Sequence, residues 1–436
     1  MDRLEWSPGI HNHTYKPMSH SDVSATGLRA KLAALGPGIL LATAAIGGSH
    51  IVASTQAGAL FGWQLAWLIL LVNILKYPFF RFGVEYTLNH GENLLVGYQR
   101  KGRWYLRGFV LLNLIAAVVN TAGVLLLTAS LLKYFLPWSL SLPVLCLLLL
   151  AVCLAILLAG QYKLLDQVSK WIMVLLTITT LAAAFIAWQN GSTAPVDYVG
   201  PSPWTLAALG FLVALMGWMP APIEISAINS LWLQQKQQQG KISKANGLFD
   251  LDLGYWSTTA LALVFLALGA LVQYGSDQPV ELAGAAYTHQ FVGMYAKTIG
   301  DWSTLLVAGV AFLCMFGTTI TVLDGYARTL NESMKLVGLQ KNATQRSYSY
   351  WLIAQSAAGF AVILFFKSAL GPMLTFAMSL AFITTPVFAW LNFSLMQQYK
   401  GTEHGISKTM QCWSWLGLIY LFGFALLFVI WWFIWR

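Results

Sequence analysis

Four side chains inside long apolar runs have chemistry to offer: His50, Lys76, Met219 and Glu224. His50 follows Gly47-Gly48-Ser49. An imidazole there can donate to an anion, ligate a metal as the neutral ring, titrate near neutral pH, or be satisfied by backbone carbonyls. Met219 precedes Pro220-Ala221-Pro222 and offers a thioether to a soft metal, although packing is the commoner use of methionine. Glu224 lies just beyond, in Ala-Pro-Ile-Glu-Ile-Ser. Buried there, a carboxylate must pair with a cation or hold a proton. Lys76, in Asn-Ile-Leu-Lys-Tyr-Pro, sits too deep in its apolar run to snorkel to an interface. It is expected to pair with a carboxylate, and Glu224 is a candidate.

Arg81 and Glu85 are four residues apart, as are Asp324 and Arg328, the spacing of neighbours on one helix face. Both pairs are expected near the inner membrane surface, in structural, coupling or gating roles. Ser226, Asn229, Thr318, Thr319, Thr384 and Thr385 are small polar groups that either line a polar route or bond between helices. No nucleophile-base constellation, phosphate loop or zinc-spaced cluster is visible, so an enzyme is not expected. Cys146, Cys153, Cys314 and Cys412 have no metal or redox spacing and read as small apolar residues.

The elements that must hold these groups are set by composition. Of 436 residues, 58% are hydrophobic and 9% charged, which excludes a soluble fold and demands a bilayer as partner. Apolar stretches fall at roughly 36–61, 64–89, 108–132, 140–159, 168–188, 204–232, 252–273, 302–327, 348–367, 371–396 and 413–435, giving eleven spans. With the amino terminus cytoplasmic, nineteen Lys and Arg fall inside and four outside (Lys133, Lys297, Lys367 and Arg436), which sets the orientation and puts the carboxyl terminus outside. The net charge of +9 follows from this topology rather than from a nucleic-acid partner, because the basic residues are scattered over short loops. Residues 1–30, with His11, His13 and His20, read as a cytoplasmic tail without the pattern of a signal peptide.

Gly47-Gly48 in the first span and Pro220-Ala221-Pro222 in the sixth are helix breakers at mid-membrane depth. Lipid cannot satisfy the backbone groups they release. Each alone could be a packing kink; at matching positions five spans apart they point to an inverted repeat with a solute site between the breaks. The expected architecture is an all-α integral membrane protein, with helices 1–5 over 31–190, helices 6–10 over 191–396, and a cytoplasmic loop plus helix 11 over 397–436. The expected site comprises Gly47, Gly48, Ser49, His50, Met219, Pro220, Ala221 and Glu224, with His50 and Met219 as metal ligands and Lys76 nearby.

Several motifs resemble the NRAMP metal-transporter family. They are Gly36-Pro37-Gly38 with Gln56-Ala57-Gly58-Ala59-Leu60-Phe61-Gly62, then Gly91-Glu92-Asn93-Leu94-Leu95-Val96-Gly97-Tyr98, Met219-Pro220 and Thr318-Thr319-Ile320-Thr321, in order along nearly the whole chain. The resemblance implies a LeuT-type inverted repeat of five plus five helices, helices 1 and 6 broken, a cytoplasmic amino terminus and transport of a divalent metal. The site residues match less well. Aligned from Gln56, Gly47-Gly48-Ser49-His50 stands where the family carries Asp-Pro-Gly-Asn. Ala221 and Ser226 stand where it carries histidines, and Asn120 and apolar groups stand where its third helix is acidic. The ninth span, Trp351 to Phe366, has no arginine.

A dication in a low-dielectric site normally needs a carboxylate. His50, Met219, freed carbonyls and Glu224 could hold a soft or borderline metal. His50, Lys76 and half-helix amino termini would equally suit a small anion or a carboxylate-bearing solute. The expected protein is thus a bacterial inner-membrane secondary transporter of a small ion, without a cofactor but with H⁺ or Na⁺ as candidate coupling ion, and plausibly a monomer. A non-transporting sensor or receptor is the alternative of another class.

Overall fold

In the computed structural model, residues 31, 35–136, 140–160, 162–240, 242–276, 280–281, 284–366, 369–403 and 405–435 are described. The expected tail and its three histidines lie outside them. The described residues form helices and connecting turns, with no strand among them. Among the described residues, seven helical stretches are long and apolar enough to cross a membrane, one of them the 54-residue run Pro37–His90, and shorter apolar stretches occupy Leu142–Leu158, Val174–Asn190 and Leu206–Gly217. Each of the eleven sequence segments falls on one of these helices, the first two together in Pro37–His90 and the fourth, fifth and sixth on the shorter ones. Exposed Trp63, Leu111, Phe185, Ile419 and Phe433 give the outer faces an apolar character suited to lipid. The chain is a multi-pass membrane protein.

The first element, α1 (Pro37–Ala45), has proline in its first turn, where the missing N–H would be unbonded anyway. It gives way to a π-helical segment, Gly48–Ser54, and then to α2 (Thr55–Phe61). A long helix, α3 (Ala66–His90), ends at Gly91, whose φ of 70° closes the last turn, its N–H donating to the Thr87 carbonyl at 2.8 Å. Asn93 caps α4 (Leu94–Lys101) by accepting from the Leu95 and Val96 amides. Then follow α5 (Arg103–Lys133), α6 (Leu142–Leu158), α7 (Tyr162–Asn190), α8 (Leu209–Gly217) and α9 (Ile225–Gln239). The chain closes with α10 (Lys244–Val272), α11 (Gly284–Ile299), α12 (Ser303–Leu336), α13 (Gln345–Phe365), α14 (Leu370–Gln397) and α15 (Lys408–Trp435).

Close backbone contacts hold the short helices around the interior. A Cβ on Gly38 would fall 2.0 Å from the Asp250 carbonyl oxygen, and one on Gly58 would fall 2.0 Å from that of Leu266. Helices α1 and α2 therefore both lie directly on α10, an approach only glycine permits. Asp250 adds a cap, accepting from the Gly36 amide at 3.0 Å and the Gly38 amide at 2.6 Å, where the positive end of α1 favours a carboxylate. Lys236, at the end of α9, donates to the Leu35 carbonyl at 2.6 Å. Helix α12 packs along α5, and α14 along α8.

Candidate functional site

Beyond Ala45 the chain leaves the α-helix, and the carbonyl of Ile46 loses its helical partner. Thr318 Oγ1 on α12 lies 3.2 Å from it and Cys314 Sγ donates to it at 3.3 Å. A Cβ on Gly47 would face Met315 and Thr318, both at 3.3 Å. Gly48 lies under Trp218, whose ring would be 2.6 Å from an added Cβ.

His50 is fully buried with both ring nitrogens engaged, Nε2 at 2.9 Å from the Thr258 carbonyl and Nδ1 at 2.7 Å from Ser49 Oγ. A carbonyl can only accept, so Nε2 carries a proton, while Nδ1 lies in hydrogen-bond contact with the Ser49 hydroxyl oxygen. The hydroxyl also lies 2.9 Å from the Ala45 carbonyl, bridging the helix end to the imidazole. In this conformation both ring nitrogens of His50 are turned to protein partners.

The second interruption is longer, since α8 ends at Gly217 and α9 begins at Ile225. Pro220 and Pro222 supply no backbone N–H, which keeps this stretch out of the helical ladder. The last carbonyls of α8 are taken by Lys76, whose fully buried ammonium donates to Met216 at 2.7 Å and Gly217 at 3.0 Å. That is where the negative end of a helix favours a cation. Among the described residues these two carbonyls are the hydrogen-bond partners of Lys76; its ammonium makes no direct contact with Glu224, although each feels the other's charge.

Glu224 is buried just before α9. Its Oε1 accepts from Tyr326 Oη at 3.0 Å and from Asn120 Nδ2 at 3.3 Å; Oε2 has no hydrogen-bond partner among the described residues. Trp218 Nε1 donates to Asn120 Oδ1 at 3.0 Å, which fixes the amide so that Nδ2 faces Tyr326 Oη at 2.7 Å and Glu224.

Between the interruptions is a cavity of about 30 Å³. A water molecule needs roughly 10–15 Å³ by this measure, so the space suits one or two waters or a small ion. Gly48 and Ser49 line it from one side, and Trp218, Pro220, Ala221 and Pro222 from the other; Asn120, Thr318 and Tyr326 complete the wall. Of the residues expected at the site, Gly48, Ser49, Pro220 and Ala221 line this cavity, Gly47 adjoins it through Thr318, and Glu224 lies behind Asn120 and Tyr326. His50 and Met219 are buried outside its lining, and no group of three or more His, Cys, Asp or Glu side chains occurs among the described residues. Sequence reading did not single out Trp218 and Tyr326. Their only sequence signal is a polar-tipped aromatic beside Pro220 in one case and beside Asp324 in the other.

Two larger recesses flank this centre. One, of about 630 Å³, is polar and lies between α9, α12 and the start of α13, lined by Gln234, Arg328, Lys335 and Tyr348. Asp324 bonds Arg328 at 2.7 Å and accepts from Tyr348 Oη at 2.7 Å, tying α12 to α13 beside it. The other, of about 750 Å³, is apolar, with Gln56, Phe211, Phe376 and Trp432 on its wall. Arg81 and Glu85 pair at 2.9 Å on α3, outside the lining of the cavity and of both recesses.

Residues 38–431 match the natural resistance-associated macrophage protein-like (Nramp) family. The chain belongs to the Nramp family. Nramp proteins are membrane transporters, not enzymes. An uncharacterized protein of Pasteurella multocida (strain Pm70) is 56% identical over 403 residues, 92% of each chain. Among solved structures, a mutant of the Eremococcus coleocola manganese transporter superposes with a TM-score of 0.68 at 12% identity, over 94% of this chain and 88% of that one. A nucleobase-cation-symport-1 family transporter, closed around bromovinylhydantoin, gives a TM-score of 0.55 at 12% identity, over 91% and 92%. At such identities the likeness is one of fold.

Proposed function

We propose that this Nramp protein is a secondary transporter that moves a small metal ion across the bacterial inner membrane by alternating access. The observation that carries this reading is the water-sized cavity where the two interrupted helices meet, set between a polar and an apolar recess. In this reading α1 through α7 and α8 through α14 form two inverted repeats of five spans, each opening on an interrupted helix, and α15 is the eleventh span. The amino terminus is cytoplasmic and the polar recess is the inner vestibule. The ion binds among Gly47, Gly48, Ser49, Pro220, Ala221 and Glu224. His50 and Met219 join it only if the wall rearranges in another state of the cycle. Asp324 with Arg328, and Arg81 with Glu85, control access from the inside.

A second reading, a small anion or carboxylate-bearing solute, is favoured by one feature: the residues lining the cavity carry no carboxylate. Purified protein in liposomes distinguishes the two. Saturable Mn²⁺ uptake, driven by an imposed H⁺ or Na⁺ gradient, is the expected result and would also identify the coupling ion. Uptake of a small carboxylate with no Mn²⁺ flux would establish the second reading. Absence of any flux from folded protein would favour a sensor.

A further inference from the structure

We infer that Tyr326 is a cation ligand of the cavity and that Glu224 acts through it, in a site built of oxygen donors that prefers a hard cation. This rests on the carrier reading above and names the chemistry of its site. Tyr326 and Asn120 both line the cavity and both bond Glu224, so they stand between the carboxylate and the space where an ion fits. The geometry fixes the direction of each bond. Trp218 Nε1–H occupies Asn120 Oδ1, Asn120 Nδ2 donates to Tyr326 Oη and Glu224, and the Tyr326 hydroxyl proton goes to Glu224 Oε1.

Donation to a carboxylate raises the electron density on the phenolic oxygen, and outer partners of this kind orient and strengthen the ligands they bond. With its proton committed to Glu224 and one lone pair taken by the Asn120 amide, the hydroxyl oxygen keeps its second lone pair for an ion in the cavity it lines. Asn120 and Trp218 also line it, but their polar atoms are taken up in the bonds above; the remaining side-chain polar atoms of the lining residues are the hydroxyls of Ser49 and Thr318, while His50 and Met219 do not line it. Oxygen ligands suit Mn²⁺ or Mg²⁺, and a softer ion such as Cd²⁺ gains little from them. Glu224 supplies the compensating negative charge one bond behind the ligand, with Oε2 still unpartnered.

The test is Mn²⁺ binding to the purified full chain, followed by the electron-paramagnetic-resonance signal of free Mn²⁺, with Cd²⁺ as competitor and thermal unfolding measured in parallel. Tyr326→Phe removes one hydroxyl and Glu224→Gln one charge. Each is expected to weaken Mn²⁺ binding about 10- to 100-fold, the usual cost of losing such support. The double variant should be no weaker than the weaker single, because both act through one oxygen, and Glu224→Asp should recover part of the loss. Cd²⁺ should compete no better than Mn²⁺ itself.

Wild-type affinity in Tyr326→Phe would overturn the inference. So would losses that multiply in the double variant and track the unfolding temperature, tighter binding of Cd²⁺, or no Mn²⁺ binding by the wild type. Because binding is read without flux, a protein that binds Mn²⁺ as described but does not move it would overturn the transport reading alone.

Discussion

The first interruption is short and closes its own polar inventory. The Ile46 carbonyl is met by Cys314 and Thr318, Ser49 reaches back to Ala45, and His50 has partners on both nitrogens. The second is longer and leaves its inventory open. Lys76 satisfies the end of α8, but Glu224 keeps an unpartnered oxygen, and Trp218, Asn120 and Tyr326 are arranged around it. A buried polar group without a partner costs about 1–3 kcal/mol, a cost that falls here on the carboxylate behind the cavity wall. In the proposed carrier the two interruptions divide the work: the first provides a rigid wall of backbone and glycine, the second the group that answers to an ion.

Three substitutions probe this division, beginning with the largest effect. Gly58→Val should abolish folded protein, because its Cβ would sit 2.0 Å from the Leu266 carbonyl oxygen and the rest of the side chain would force α2 off α10. Ordinary overpacking costs about 1–3 kcal/mol, and a clash with backbone has less room to relax. A monodisperse gel-filtration peak with a wild-type unfolding temperature would break the claim that the first interruption is a rigid wall.

Lys76→Met should come next. It leaves the Gly217 carbonyl unbonded and the Met216 carbonyl with a 3.4 Å bond from the Met219 amide, at about 1–3 kcal/mol for each group left without a partner. The thermal unfolding temperature should fall markedly. The smallest effect is expected from His50→Ala, which loses two hydrogen bonds, each with a net contribution of roughly 1 kcal/mol. Stability should drop modestly while Mn²⁺ affinity stays within a factor of about two. A tenfold loss of affinity instead would put the ligand at the first interruption and reverse the comparison.

The local parts of this arrangement were legible in the sequence, and the convergent parts were not. Gly47-Gly48 and Pro220-Ala221-Pro222 fall in intervals where α1 and α8 have ended, because glycine and proline act on their own stretch of backbone. The pairs Arg81–Glu85 and Asp324–Arg328 form as their spacing on one helix face dictates. Lys76 instead meets carbonyls 140 and 141 residues away, a partner no side-chain pattern announces. The group of Asn120, Trp218, Glu224 and Tyr326 draws on two helices and one interruption. In helices apolar on every side, periodicity says little about which face turns inward. His50 drew notice through its neighbours Gly47-Gly48-Ser49, but where its nitrogens point depends on Thr258, in a helix 208 residues further on.

The central claim is that an ion binds between the two interruptions, against the second. The most direct measurement is anomalous scattering from crystals of the full chain soaked in Mn²⁺ and, separately, in a heavy anion such as bromide. The account predicts a Mn²⁺ peak within coordination distance of Tyr326 Oη and no bromide peak in the cavity. A Mn²⁺ peak beside His50 and Met219 with none at Tyr326, or a cavity occupied by bromide alone, would contradict it.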